Sequence, residues 1–181
     1  MSANPAHSPS GDTLADAGML AELTAFLHRE ARLLDTGNVE GWLSLLTDDV
    51  HYFMPAQPAV YSRNLKNRSV GDKLAFYDDD LDMIKRRIAR MIHPTAWSED
   101  PPTRVIHQIS NIEAFNTATD GTWRVLSVAV VFRSRNEADQ DTLWARREDL
   151  VRRVDGELKL AKRHVTLAHN VLLGKNLNVF I

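Results

Sequence analysis

Trp123–Arg133, WRVLSVAVVFR, reads as a β-strand, and its composition decides what kind of sheet the chain must build. In an extended chain successive side chains point to opposite faces. Leu126, Val128, Val130 and Phe132 therefore share one face while Val125, Ala129 and Val131 share the other. The run is rich in β-branched residues and is bounded by Asp120-Gly121 before it and Ser134-Arg135-Asn136 after it. Because both faces are apolar, the spacing predicts a central strand buried on both sides. A lone antiparallel sheet usually wets one face. One cover must then be a helical layer, and the other a second layer or another subunit.

Outward from this strand the second half of the chain reads as sheet: Arg104–Phe115, Thr122–Arg135, Thr142–Val154 and Leu158–Ala168, with Asp155-Gly156 as a tight hairpin signal. The first half reads as helix and one strand. A helix is expected from a cap at Asp12-Thr13, with Leu20, Leu23, Leu27 and Leu34 on its apolar stripe and Glu22, Arg29 and Arg32 wet. Gly37 suits its end, and Asn38 caps a second short helix bearing Trp42, Leu45 and Leu46. Asp49–Met54 alternates as an edge strand limited by Pro55 and Pro58. A third helix is expected from Asp78-Asp79-Asp80 to Arg90, stopped by Pro94, with acids at its positive end and cations at its negative end. Helices followed by a long antiparallel meander describe an α+β fold. Strands this long must curl, giving a cone-like, strongly curved, mainly antiparallel sheet closed by N-terminal helices.

At 181 residues the chain is in the single-domain range, with residues 13–181 as one domain and the polar, proline-containing residues 1–12 as a disordered arm. It has no cysteine, which excludes disulfides and thiolate-held zinc or iron–sulfur centres. A formal net charge of -2, with arginines interleaved among acids, argues against nucleic acid. No apolar run approaches the roughly 20 residues that span a bilayer, and the N-terminal residues lack a signal-peptide pattern, so a cytoplasmic location is expected.

Several segments, taken in order, resemble one family. They are Glu30-Ala31-Arg32-Leu33-Leu34-Asp35, Trp42, Leu45-Leu46, Asp48-Asp49, Tyr52 and Met54-Pro55; the third helix; Trp97-Ser98-Glu99-Asp100-Pro101-Pro102-Thr103-Arg104; Arg146-Arg147-Glu148-Asp149-Leu150; and Val171-Leu172-Leu173 with Asn176-Leu177-Asn178. Together they are similar to the β (small) subunit of bacterial aromatic-ring-hydroxylating dioxygenases, the Rieske non-haem iron oxygenases. The resemblance implies a nuclear transport factor 2-like cone and assembly with a catalytic α subunit, commonly as α3β3. It implies a Rieske [2Fe–2S] cluster and a mononuclear Fe(II) on that α chain, with NAD(P)H electrons arriving through a reductase. It implies no catalytic, cofactor or metal residue on this chain.

The residues themselves leave a competing reading. Seven histidines invite a metal site, but His164 and His169 lie an odd number of residues apart and fall on opposite faces of a continuous strand. His51 and His107 sit near strand centres, where one could act as a general base with an acid such as Asp49, as in a stand-alone cone-fold dehydratase or isomerase. The plainer reading of both is a buried or interfacial hydrogen-bonded imidazole. The dioxygenase reading predicts an apolar outer sheet face, and the dehydratase reading a water-accessible polar pocket in the cone. Arg146-Arg147 and Arg152-Arg153 each split across the sheet and suggest a polar subunit interface. The run Asp78–Asp82 lacks the glycine turn of a calcium loop and reads as helix capping. Finally, NLNVFI, Asn176–Ile181, is expected to be buried as an extended strand against the first strand or a subunit boundary.

Overall fold

The computed structural model describes residues 13–56, 74–91, 103–135, 139–169 and 176–181. The expected arm 1–12, the polar stretch after Pro58, Trp97–Pro102 and Val171–Leu173 lie outside these. The elements run β1 (Thr13–Leu14), α1 (Ala17–Asp35), α2 (Val39–Leu43), β2 (Leu46–Pro55), β3 (Ala75–Asp79), α3 (Leu81–Met91), β4 (Arg104–Asn116), β5 (Thr122–Ser134), β6 (Gln140–Val154) and β7 (Glu157–Leu167). The strands form one seven-stranded sheet in the order β1-β4-β5-β6-β7-β2-β3. It is antiparallel except where β2 runs parallel to β7. Its curl wraps the helices into an α+β cone.

Local chemistry sets these boundaries. The Asp16 carboxylate accepts the Met19 N–H at 2.9 Å, so α1 starts after Asp16 and not at Asp12-Thr13 as the sequence suggested; Thr13–Leu14 instead pairs with the end of β4. At the other end Gly37, at φ 67°, sends its N–H to Leu34 and the Asn38 N–H to Leu33, closing the free carbonyls of α1. Asn38 then caps α2 through the Gly41 N–H. Asp155 (φ 52°) and Gly156 (φ 86°) make the two-residue turn that joins β6 to β7, with Val154 facing Glu157.

Two expectations need correcting, and a third is met on one face within the chain. Asp78 and Asp79 belong to a strand, β3, which the acidic run concealed; only Asp80 caps the helix, accepting the Met83 N–H at 2.8 Å. Because β3 pairs with it, β2 is an interior strand and β3 takes the edge. Finally, β5 is buried on one face only within the chain. Val125, Ala129 and Val131 are sealed in the core, while Leu126, Val128 and Val130 are half-buried and Phe132 is exposed. The core lies inside the cone, where Leu23 and Leu27 of α1, Trp42, Ile84 and Ile88 meet Val125, Ala129, Val131, Leu160 and Val165.

Candidate functional site

The cone interior holds the most unusual chemistry. Glu30 occupies the same face of α1 as Leu23 and Leu27 and is buried with them. Arg163 of β7 forks both its oxygens at 2.7 and 2.8 Å, and reaches Asp149 of β6 at 2.8 Å through Nε and again at 2.8 Å through its terminal nitrogen. Arg147 joins both carboxylates at 3.4 and 3.1 Å, and the Trp42 indole N–H donates to Glu30 at 3.2 Å. Two cations and two anions cancel, which is what permits four buried charges. Burial would raise the Glu30 pKa, but the Arg163 and Arg147 guanidiniums and the hydrogen bonds prevail and hold it at about 2. Arg147 and Asp149 therefore face the cone, so these members of the charged β6 run serve the interior and not the expected subunit interface.

Beside this network the closing segment 176–181 plugs the cone. Val179, Phe180 and Ile181 are buried, with Phe180 packed against Trp42 (ring centroids 4.5 Å apart), Tyr52 (5.6 Å) and Tyr77 (5.7 Å). Among the described residues the expected pairing with the first strand does not occur. Side chains of the inner sheet face take the segment's backbone groups one by one. Arg133 donates to Asn176 O (3.1 Å), the Tyr77 hydroxyl reaches Leu177 O and Val179 O, and Tyr52 donates to Ile181 O (2.9 Å) while accepting the Ile181 N–H (2.8 Å). Burial pushes the Tyr52 hydroxyl well above its ordinary range and Tyr77 up to about 12, so both remain donors.

The candidate histidines do not form an acid–base centre with Asp49. His51 points outward and pairs with Asp78 at 2.7 Å, both half-exposed or more. Asp49, also exposed, is bound by Arg152, whose hydrogen bond together with that of Thr47 holds the carboxyl at about 2. His107 is buried. Its Nε2 lies 2.8 Å from the Phe180 carbonyl oxygen, an acceptor, so Nε2 carries a hydrogen; its Nδ1 lies 2.6 Å from the Asp35 carboxylate. Both ring nitrogens are thus committed to holding the closing segment and the end of α1. The Asp35 partner, 72 residues away, had no signal in the sequence. His164 is exposed beside Phe53 (5.4 Å), and His169 lies past the end of β7. Among the described residues no group of three or more His, Asp or Glu is arranged to hold a metal. No helix among them is long and apolar enough to cross a membrane.

Two further surfaces bear on function. At the cone mouth a cavity of about 300 Å³ opens above Phe180, walled by Leu34, Trp42, Ile88, Met91 and Val105. On the outer sheet face Ile106 pairs with Phe132, and one row along Val130 pairs with Trp144. Ile106, Phe132 and Trp144 are 62, 41 and 52% exposed, an apolar patch with no cover among the described residues.

A curled sheet wrapped around helices, with its interior filled by its own closing segment, defines a cone-fold protein of the nuclear transport factor 2 type. A putative scytalone dehydratase from Novosphingobium aromaticivorans shares this fold, with a TM-score of 0.61 over 84% of this chain and 85% of that one at 16% identity. The match to the family model described as the ring hydroxylating beta subunit spans residues 29–174, and the chain belongs to that family. It is 32% identical over 168 residues to the biphenyl 2,3-dioxygenase subunit beta of Rhodococcus jostii (strain RHA1), covering 91% of this chain and 90% of the relative. Among solved structures it is similar to a chain of naphthalene 1,2-dioxygenase with indole bound in the active site. That match has a TM-score of 0.85 at 25% identity and covers 92% of this chain and 88% of that one.

Proposed function

We propose that this chain is the non-catalytic small subunit of a cytoplasmic aromatic-ring-hydroxylating dioxygenase. It scaffolds a catalytic α subunit that inserts both atoms of O2 into an aromatic ring as a cis-dihydrodiol. In this reading the α chain carries the Rieske [2Fe–2S] cluster and the mononuclear Fe(II), NAD(P)H electrons arrive through a reductase, and the chains assemble as α3β3. The lack of cysteine here fits a cluster held elsewhere. The observation that carries the reading is the plugged cone: Phe180 and Ile181 fill its depth, and both nitrogens of His107 are committed to Asp35 and Phe180, leaving that imidazole no position from which to move a substrate proton.

Co-expression with the α chain tests this. The two chains should co-elute in equal amounts with all iron on α, and His107→Asn or His51→Asn should change turnover only in proportion to the amount of complex assembled. A loss of several orders of magnitude in a fully assembled complex would make the cone catalytic.

A further inference from the structure

We infer that the cavity at the cone mouth is a binding site on this chain for an uncharged, two-ring aromatic molecule. Its shape and chemistry both point there. The volume, about 300 Å³, is roughly twice that of an apolar cavity that admits one benzene ring, and lies at the lower end for small-molecule sites. The floor is aromatic: the Trp42 and Phe180 rings lie 4.5 Å apart, and a ligand ring can meet them edge-on or offset. The Met91 thioether and the Ile88 and Val105 side chains complete walls that adapt to a flat apolar guest.

The polar inventory fixes the ligand's charge. Among the described residues no Asp, Glu, Lys or Arg lines the cavity, and His107, the titratable group among them, already has its Nδ1 against Asp35 and its Nε2 against the Phe180 carbonyl. A carboxylate, phosphate or ammonium would shed water and find no counter-charge, a cost that an apolar wall cannot offset. Thr103 and Asn178 also line the cavity, so a hydroxyl on the ring system is tolerated where a formal charge is not. The inference does not rest on the scaffold role, since the site is built wholly from this chain.

The test uses the isolated full-length chain, away from any α subunit. Equilibrium dialysis with labelled naphthalene should give saturable binding of one molecule per chain, and naphthalene-2-sulfonate should bind at least tenfold more weakly. Val105→Trp and Met91→Trp, each filling the cavity from a different wall, should weaken naphthalene binding at least tenfold in chains whose circular dichroism and melting are unchanged. If one of the two fails to fold, the other decides. Absence of saturable naphthalene binding up to its solubility limit, equal affinity for the sulfonate, or undiminished binding in a folded filled variant would each overturn the site.

Discussion

Glu30 and Asp49 are both held at about pKa 2 by arginines, yet they differ in what they contribute. Asp49 is exposed and its pairing with Arg152 is screened by solvent, so little stability follows. Glu30 is sealed. Its folded pKa lies below the ordinary 4.5, so its contribution is complete above about pH 4.5 and is lost as the pH falls toward 2, roughly 3 kcal/mol in all. Urea unfolding across that window should show the loss, and Glu30→Gln should flatten it while destabilising the chain at pH 7 by about 3–5 kcal/mol through the uncompensated guanidiniums. An unchanged pH slope in the variant would assign the acid sensitivity elsewhere. Tyr52→Phe isolates one peg of the plug. Losing a hydroxyl that both donates to and accepts from Ile181 should cost about 1–3 kcal/mol by thermal or urea unfolding. Helical spacing from Leu23 and Leu27 puts Glu30 inside, a place the apolar stripe read from the sequence left out because the residue is charged. Its partners Arg163 and Asp149 were not legible, since nothing local tells which strand residues converge on a distant helix.

At the scale of elements, the four long strands were readable because each carries its own alternation and its own turn signals. β3 was hidden, since AFYDD reads as the acidic lead-in to a helix, and Asp79 is in fact buried against Arg87 at 2.7 Å. The parallel join of β2 to β7 is a non-local choice made by the cone. The closing segment misled for a related reason: alternation assumes a ladder, but here Tyr52, Tyr77, Arg133 and His107 supply the hydrogen bonds, and so Val179, Phe180 and Ile181 are all buried together. Phe180→Ala should therefore behave as a core truncation, costing about 3–5 kcal/mol, and not as a change in a fraying end. A denaturation midpoint equal to wild type would show that the ring is not holding the cone together.

For the whole molecule, the apolar patch of Ile106, Phe132 and Trp144 leaves the outer face of the two-sided β5 without a cover among the described residues, and contact with another chain is the cover to test. Trp144→Glu is exposed within the protomer and should leave its melting nearly unchanged while shifting sedimentation at micromolar concentration from oligomer to monomer. Retention of the oligomer would move the interface to another face. The plug has a kinetic consequence. Tyr52 and Ile181 are 129 residues apart, and Glu30 and Arg163 are 133 apart, so the contacts that finish the cone are among the most distant in the chain. Such contacts require the closure of very long loops, and on that ground should form after the local hairpins of β4 to β7. Substitutions in residues 176–181 should then steepen escape from the native state while leaving the refolding limb of a chevron plot unmoved, making the closing segment a latch that sets how long the subunit stays folded.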